Sequence, residues 1–325
     1  MLVCWAAAEG LNLGNISHSN AYPVVTSLLL AIGLYGSTYG IDLREAKEHR
    51  RIILLAVTVG VVLKAALIGG SLYLATRDPL YLLLGVAVAQ IDPLSVAALM
   101  GENRLSPKAR TILAAWASFD DPLTVVLTVY AVALVSPGGG FFDGFGGYGV
   151  SLLANVGFAL VAIVVWRLLR NRPALLGPLL VVFVAVAVWQ FLMLGVALAG
   201  LVVRPAWLGR YIGRVTFAAL FVAGGLLGLL LVLGIDPLAG LMLGAAAFGA
   251  QVVVGLLMTR GLGRADRIHL ALAQQNGITA IILGLRLEAD YEGAIAVIAP
   301  AIVVTGALHF LANYVADRRA VTSSA

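Results

Sequence analysis

The sequence predicts an all-α membrane protein, a bundle of helices that cross the bilayer many times. Of its 325 residues, 61% are hydrophobic and only 11% are charged, whereas soluble domains have about 45–50% apolar and about 25% charged residues. The mean hydropathy of +1.01 comes from many apolar runs of about 20 residues, the length that a helix needs to cross about 30 Å of hydrocarbon. The basic residues lie in the short connections between these runs. The net charge of +5 therefore reflects membrane topology and does not indicate a nucleic-acid partner.

The basic residues between the apolar runs set the expected number of crossings. Connections rich in lysine and arginine alternate with poor ones, as the positive-inside rule requires. The alternation fails if the run 174–203 crosses once, because Arg170 and Arg204 would then face opposite sides; two crossings restore it. We therefore expect eleven spans, with short tilted helices in this run, and a cytoplasmic C-terminus. The ten visible runs are 22–40, 52–75, 80–100, 111–135, 148–166, 174–203, 215–235, 237–258, 268–287 and 293–315.

Other classes of protein find little support in the composition. The chain has one cysteine, Cys4, so no internal disulfide framework is possible, and no histidine or cysteine cluster has the spacing of metal ligands. The N-terminus lacks the basic region and cleavage site of a signal peptide. The compact loops suit a bacterial inner membrane.

The triplet Asp-Pro-Leu occurs four times, and its ordinary meaning is the start of a helix. Asp78 and Asp236 each lie between two runs that are long enough to span, so we expect helix starts there. If a new helix began at Asp92 or Asp121, it would divide the apolar run into two helices of about 8–14 residues, each too short to cross the membrane. These two acids are therefore expected at membrane depth, where an ionisable side chain costs several kcal/mol and indicates a functional site.

A proline follows each of these two acids and sharpens the prediction. Proline has no N–H and crowds the carbonyl four residues back. Pro93 should therefore free the Ala89 carbonyl, and Pro122 the Ser118 carbonyl. Each site would then combine a carboxylate with a free carbonyl, which are hard oxygen ligands that suit alkali cations. Irregular backbone at membrane depth lines cavities and marks the binding sites of secondary transporters.

Through these residues the chain resembles the cation/proton antiporter superfamily, the monovalent cation:proton antiporters that include the Na⁺/H⁺ exchangers. The segment "GVAVAQIDPLSVAAL" resembles the family's unwound helix with Thr-Asp-Pro, and "WASFDDPLTVV" resembles the next helix with its Asn-Asp or Asp-Asp pair. The segment "RIHLALAQQNGITAIILGL" is similar to the second unwound helix, which crosses the first. Further likenesses are "GLNLGNI", "LLLAIGLYGSTYGIDLREAKEHRR" and "LGVALAGLVV". The likeness covers nearly the whole chain.

The resemblance implies an inverted-repeat antiporter fold with two crossing unwound helices, no enzymatic activity and no cofactor. The chain is expected to begin within the family's second helix. The implied parts are a remnant of that helix at 1–21, core ion-binding helices of the first repeat at 22–135, interface and dimerisation helices with a linker at 148–235, core helices of the second repeat at 237–316, and a cytoplasmic tail at 317–325.

The same likeness places Asp92, Asp120 and Asp121 at the family's motif positions for cation and proton binding. Successive helix residues point about 100° apart, so the two adjacent acids cannot both aim at one cation unless Pro122 distorts the turn. We expect Asp121 to be the exchanging carboxylate and Asp120 to be a hydrogen-bonded or weaker ligand. The further ligands expected for the monovalent cation are Asp92, Ser118 and the Ala89 carbonyl.

Other polar residues lie within the apolar runs. Lys64 lies near the middle of 52–75, too far from either end to snorkel easily, so we expect its partner to be an acid or a helix C-terminus inside the protein. Gln274, Gln275 and Asn276 lie within 268–287, and we expect them to satisfy broken backbone more than to bind the cation.

Together these features predict a secondary transporter that exchanges a monovalent cation for protons by alternating access. Na⁺ is expected before K⁺ or Li⁺, because of the resemblance. Burial and like charge would make cation and proton compete for one carboxylate. A homodimer surrounded by membrane lipids is also expected. A passive cation channel and an intramembrane aspartyl protease are the alternatives, but a channel does not need paired broken helices and a third adjacent acid has no role in the protease.

Overall fold

The computed structural model describes residues 4–6, 9, 13–41, 43–48, 50–92, 95–96, 105–135 and 141–322. Within these residues the regular structure is helical. The first part of the bundle begins with a 3₁₀ turn at Leu13–His18. It continues with α1 (Ala21–Tyr39), α2 (Leu43–Glu48), α3 (Arg50–Leu55), a π turn (Ala56–Gly60) that leads into α4 (Val61–Thr76), α5 (Leu80–Ala87) and α6 (Pro107–Val135).

The second part of the bundle begins with α7, which starts at Phe141, earlier than the predicted boundary at 148. Its helices are α7 (Phe141–Leu169), α8 (Pro173–Trp189), α9 (Met193–Gly200), α10 (Ile212–Leu230), α11 (Pro237–Met258), α12 (Arg264–Ala271), α13 (Ile278–Glu288) and α14 (Ala294–Thr322). As predicted for a helix start, the Asp236 carboxylate accepts a hydrogen bond of 2.9 Å from the Ala239 N–H at the beginning of α11.

Within the described residues, six helical stretches are long and apolar enough to cross a membrane on their own. The protein is therefore an integral membrane protein with several spans. The stretches are Ala21–Tyr39, Arg51–Thr76, Gly149–Leu169, Ile212–Leu233, Pro237–Met258 and Ala294–Arg318. The other described helices include the long α6 as well as shorter ones, so the expected total of eleven spans stays a prediction.

Glycine brings several of these helices into backbone contact. At Gly85 in α5, a Cβ atom would overlap the Gly69 backbone in α4, and at Gly244 in α11 it would overlap Ala301 and Val304 in α14. Small residues of this kind let membrane helices approach closely, because lipid gives no hydrophobic drive for helix association. The close contacts hold α5 and α11 in fixed positions beside their neighbours.

Two spans are interrupted near their middles, and the interruptions meet. The helix α5 ends at Ala87, and α12 ends at Ala271 before α13 begins at Ile278. Between these ends, Ile91 and Gln275 form an antiparallel β-bridge. The two interrupted helices therefore cross at these residues, as the resemblance implied. Pro93 lies outside the described residues.

The expectation of irregular backbone at Pro122 is wrong. The helix α6 runs from Pro107 to Val135 without interruption, with Pro122 inside it. One proline removes only one helical hydrogen bond, and packing against neighbouring helices keeps such a span helical. Asp92 follows the interrupted helix α5, and the second interruption, which contacts it, lies between α12 and α13. Asp121, in contrast, lies within a continuous helix.

The run 174–203 contains two helices, α8 and α9, separated by a turn. Phe191 in this turn has a left-handed backbone with φ of 52°. The Arg286 guanidinium, near the end of α13, lies 5.8 Å from the centre of the Phe191 ring. The start of α1 lies at this same end, because the Tyr22 hydroxyl donates a 2.6 Å hydrogen bond to the Leu285 carbonyl.

The chain after α9 lies at the opposite end of α1. Arg204 donates hydrogen bonds of 3.2 and 2.8 Å to the carbonyls of Thr38 and Ile41, where α1 ends. The stretch from Phe191 to Arg204 therefore passes from one end of the bundle to the other. We call the end that contains the segments 204–214 and 260–267 the arginine-rich end.

This geometry leads to a labelling prediction for the two crossings in 174–203. Single cysteines placed beside Arg170 and Arg204, in a background without Cys4, should both react with a membrane-impermeant thiol reagent from the same side. The reason is that α8 and α9 run in opposite directions between the two ends. If the two positions react from opposite sides of the membrane, the predicted span count is wrong.

Candidate functional site

Main-chain hydrogen bonds join the two interrupted helices at the crossing. The Asp92 N–H donates to the Gln274 carbonyl at 2.9 Å, and the Asn276 N–H donates to the Gln90 carbonyl at 3.4 Å. Unwound backbone at membrane depth needs such partners, because lipid offers none. Two segments more than 180 residues apart in the sequence thus satisfy each other's backbone groups and fix the position of Asp92.

Side chains of the second interruption also contact the crossing. The Gln275 side-chain nitrogen lies 3.4 Å from the Ala89 carbonyl and donates to it. Asn276 has a left-handed backbone, with φ of 68°, which asparagine adopts more readily than most residues. Its buried side-chain amide makes no hydrogen bond within the described residues. Gln274 contacts the crossing through its carbonyl.

The Asp92 carboxylate lies at the crossing and is almost fully buried. Its Oδ2 accepts hydrogen bonds from the Ser95 N–H at 3.1 Å and the Ser95 hydroxyl at 2.5 Å. Its Oδ1 packs on Gly277, where a Cβ atom would overlap the carboxylate. Glycine at this position therefore lets Asp92 approach the start of α13.

Asp120 forms an ion pair with Lys64. The Lys64 Nζ lies 2.8 Å from Asp120 Oδ2, and both side chains are fully buried. The Ile91 N–H at the crossing donates to the same oxygen at 3.1 Å. The ammonium also lies 5.3 Å from the centre of the Trp116 ring, a favourable cation–π distance. Asp120 thus links α4, the crossing and α6.

Asp121 faces a different environment from Asp120. It borders a cavity of about 300 Å³ that lies between α1, α6 and α10, and the lining includes Gly40 and Gly213 at the arginine-rich end. Ser118 lines the same cavity one turn earlier on α6. Asp121 is 1% exposed, and its Oδ2 makes no hydrogen bond within the described residues, although the Thr279 hydroxyl lies beside it.

The second oxygen of Asp121 is held by Gln90, which is fully buried. The Gln90 amide nitrogen faces two acceptors, Asp121 Oδ1 at 3.1 Å and the Thr124 hydroxyl oxygen at 2.7 Å, and the amide oxygen accepts from the Ala280 N–H. In the opposite orientation, the amide oxygen would face the Asp121 carboxylate and the amide nitrogen would face the Ala280 N–H. Gln90 therefore joins Asp121 to the beginning of α13.

The expected site residues thus divide into groups. Asp121 lies close enough to both Asp92 and Asp120 to interact with them electrostatically. Lys64 compensates one of the three negative charges that these acids carry when ionised. Ser118 and Asp121 share the cavity. The Ala89 carbonyl lies at the crossing, where it accepts from Gln275, and Pro122 is buried within α6.

Sequence reasoning missed Gln90, Thr124 and Thr279. Each is polar and fully or almost fully buried, and each lies in an apolar run. Gln90 comes two residues before Asp92 in the quoted segment, so the cost of a buried polar group could have singled it out. Its contact with Asp121 could not be found this way, since it depends on how α5 and α6 pack.

Comparisons with known proteins agree with this geometry. A sequence profile of the family described as "Sodium/hydrogen exchanger, transmembrane" matches residues 7–305. Among curated proteins, none matches the chain.

Two solved structures of the sodium proton antiporter MjNhaP1 from Methanocaldococcus jannaschii are similar in fold. One, at pH 8, has a TM-score of 0.65 with 15% identity, and covers 91% of this chain and 85% of the antiporter. The other, an electron-microscopy map, has a TM-score of 0.60 with 17% identity and covers 93% and 83% of the two chains.

The structural likeness confirms the predicted antiporter fold, and the profile covers most of the chain. The predicted superfamily is therefore confirmed, and with it the expectation of a transporter that is not an enzyme. The chain belongs to the transmembrane sodium/hydrogen exchanger family, and it is a cation/proton antiporter.

Proposed function

We propose that the protein exchanges Na⁺ for H⁺ and that Asp121 is the group that both ions bind in turn. One observation supports this most strongly. Asp121 lines a cavity, and its Oδ2 has no hydrogen bond within the described residues, whereas the neighbouring Asp120 is paired with Lys64. A buried carboxylate without a counter-ion is costly, so a proton or a cation stabilises Asp121 when it binds.

Binding at Asp121 is exclusive in this proposal. A proton removes the negative charge of the carboxylate, and with it most of the attraction for a cation; a cation in turn disfavours protonation of the same oxygens. Asp92 adds a second negative charge nearby, which strengthens the attraction for either ion. Exclusive occupancy is the property that converts a binding site into an exchange site.

The proposed cation ligands combine the predicted set with one residue that the structure adds. Asp121, Asp92 and the Ser118 oxygen belong to the predicted set, and the Ala89 carbonyl keeps a second lone pair although it accepts from Gln275. The Thr279 hydroxyl, beside Asp121, is a further neutral oxygen. Carboxylate, carbonyl and hydroxyl oxygens suit a small hard cation.

Alternating access would expose Asp121 to one side of the membrane at a time. The cavity at Asp121 extends to Gly40 and Gly213 at the arginine-rich end. On the opposite side, a separate cavity of about 190 Å³ is lined by residues that include Thr128, Phe191 and Arg286. Gln90 and Thr124 lie between Asp121 and Thr128, whose hydroxyl donates to the Thr124 carbonyl at 2.7 Å. In the proposal, the core helices at 22–135 and 237–315 move against the interface helices at 148–203. This movement would connect Asp121 to the cavity at Thr128 and so to the opposite side of the membrane.

A proton-flux assay tests the proposed exchange. Purified protein in sealed vesicles with an inside-acid pH gradient should collapse the gradient when Na⁺ is added outside, with weaker responses to K⁺ or Li⁺. Vesicles without protein give the background. Collapse of the gradient before any cation is added would indicate a proton leak, and cation flux that does not depend on protons would indicate the alternative, a channel.

We also propose Gln90 as the positioning residue for Asp121. Its amide N–H donates to the carboxylate and so favours the ionised form that binds the cation. In Gln90→Leu, the Na⁺ concentration for half-maximal exchange should rise about 10- to 100-fold, since a hydrogen bond to a charged group contributes about 1.5–3 kcal/mol. The pH at which exchange is half-maximal should move upward, because the proton then competes better.

The matched control for Gln90→Leu is Gln190→Leu, which changes an exposed glutamine in the turn after α8. The control should keep the Na⁺ dependence and the pH profile of the unmodified protein. A merely structural role for Gln90 would lower the amount of folded protein without moving either profile, and that result would contradict the assignment.

The proposed assembly is a homodimer in a bacterial inner membrane, with the C-terminus in the cytoplasm. Support comes from α7 and α8, whose outer faces expose large apolar side chains, including Leu153, Leu168, Val181 and Trp189. Such a face requires either lipid or a second copy of the chain against it. Light scattering on the detergent-solubilised protein should give twice the mass of one chain, and the mass of a single chain would contradict the dimer.

A further inference from the structure

A large cavity away from Asp121 lies at the arginine-rich end of the second repeat, between α12 and α14. Its volume is about 870 Å³, and it is open on one side. Most of its lining is apolar, but two nitrogen-bearing side chains, Arg264 and His269, also line it. We call it the α12–α14 cavity. Residues from α11, α12 and α14 line it, including Phe248, Arg264, Ile268, His269, Leu308 and Val315.

The two faces of α12 have different partners. On the inner face, Asp266 accepts hydrogen bonds from the Ser106 N–H at 3.0 Å and the Ser106 hydroxyl at 2.6 Å, which ties α12 to the start of α6. Arg267 donates to the Leu256 carbonyl at 3.3 Å. Arg264 and His269 lie on the other face, which lines the cavity. The α12 carboxylate, Asp266, is thus bound to Ser106 and not to the cavity. The charged side chain of α12 that lines the cavity is the positive Arg264.

Arg264 and His269, which both line the cavity, have unused hydrogen-bonding capacity. Arg264 is exposed and has no ion pair or hydrogen bond within the described residues. The Nδ1 atom of His269 is buried, and it too lacks a hydrogen-bond partner among those residues. A buried polar atom without a partner is uncommon in proteins. A ligand that carries oxygen acceptors would supply a partner to the exposed Arg264 guanidinium.

The opposite wall of the cavity is an apolar strip of α14. It consists of Leu308, Leu311, Ala312 and Val315, whose spacing of three and four residues places them on one helix face. Leu311 is 57% exposed and Val315 is 46% exposed, so the strip borders the surrounding bilayer. It runs for about 10 Å along the helix axis, which matches part of an acyl chain.

We propose that the α12–α14 cavity binds one anionic phospholipid, with the phosphate at Arg264, beside His269, and an acyl chain along the α14 strip. A guanidinium forms strong paired hydrogen bonds with phosphate oxygens, and basic pockets between membrane helices bind anionic head groups. The apolar strip favours a lipid over a soluble phosphate, because a free phosphate would leave the strip uncovered. This site is independent of the cation site at Asp121.

The lipid would bind next to the helix that leads into the crossing. Immediately after α12, the Leu272 carbonyl accepts a hydrogen bond of 3.0 Å from the Asn313 side chain on α14, and His309 Nδ1 lies 3.2 Å from the same carbonyl. A lipid between α12 and α14 therefore contacts both helices that hold this carbonyl. Binding is expected to stabilise the packing of α12 against α14.

Native mass spectrometry of the delipidated protein in detergent tests the proposal, with titrations of dioleoyl phosphatidylglycerol and dioleoyl phosphatidylcholine. The unmodified protein should bind one phosphatidylglycerol about tenfold more tightly than phosphatidylcholine. Arg264→Gln should weaken phosphatidylglycerol binding by about five- to tenfold, in line with the contribution of one basic residue to anionic lipid binding. The matched control Arg260→Gln removes an exposed arginine that does not line the cavity and should keep the affinity.

A second pair of variants tests the apolar strip. Ala312→Trp should fill the cavity and abolish the tight phosphatidylglycerol site, whereas Phe310→Trp, on the lipid-exposed side of the same helix, should keep it. Equal affinity for the two lipids, or unchanged binding in Arg264→Gln and Ala312→Trp, would overturn the proposal. Displacement of phosphatidylglycerol by inorganic phosphate would also overturn it, in favour of a soluble anion site.

Discussion

Replacing Asp121 by asparagine is expected to abolish Na⁺-dependent proton movement in vesicles. The amide has no proton to exchange and no negative charge with which to attract a cation. Because the proposed mechanism routes both ions through Asp121, no other carboxylate should restore transport: Asp120 is paired with Lys64, and Asp92 Oδ2 is bonded to Ser95. The flux should fall to that of vesicles without protein.

The same substitution should leave the fold intact. An asparagine carbonyl can still accept the hydrogen bond that Gln90 donates to Asp121 Oδ1, and removal of a buried charge lowers the cost of burial. The thermal unfolding temperature of Asp121→Asn should therefore equal or exceed that of the unmodified protein. This separates loss of exchange from loss of structure.

A matched control for this substitution is available in the same sequence motif. Asp78→Asn changes the acid of another Asp-Pro-Leu triplet, one that is exposed and caps the start of α5 through a 2.8 Å hydrogen bond from the Leu80 N–H. Asparagine caps helices about as well as aspartate. Exchange should be normal in Asp78→Asn, and near-normal exchange in Asp121→Asn would remove Asp121 from its proposed role.

Much of this site follows from chain length and the cost of burial. The depth of Asp92 and Asp121 was predictable because helices cut at those residues could not span the bilayer. The same reasoning predicted an internal partner for Lys64, since an ammonium in mid-span is expensive. The structure places that partner at Asp120. These inferences use only the position of a residue along the chain.

Other features depend on packing and could not be derived in this way. Asp120 and Asp121 are adjacent in sequence, and the rotation of α6 within the bundle decides which of them contacts Lys64 and which borders the cavity. The pairing of Ile91 with Gln275 joins segments that no local pattern connects, and only the resemblance to a known family predicted the crossing. The continuity of α6 at Pro122 also depends on its neighbours, because they stabilise the helix around one missing hydrogen bond.

The second large effect is expected from Lys64→Met, as a loss of stability. The substitution leaves the Asp120 carboxylate buried beside an apolar side chain, and breaking one partner of a buried ion pair costs about 3–5 kcal/mol. The free energy of unfolding should fall by this amount at neutral pH. The control Lys108→Met removes an exposed lysine at the start of α6 and should change it by about 0.5 kcal/mol or less.

Restoring neutrality at Asp120 should reverse this loss. In the double variant Lys64→Met with Asp120→Asn, no unpaired charge remains, so most of the stability should return, and the two substitutions should be strongly non-additive.

A pH series gives an independent check. A buried carboxylate can lose its charge by taking up a proton, so the deficit of Lys64→Met should grow between about pH 5 and about pH 8. Chemical denaturation in detergent of the unmodified protein, Lys64→Met, Asp120→Asn and the double variant measures both effects. Additive losses, or a deficit that does not change with pH, would show that Lys64 acts through its packing and not through its charge on Asp120.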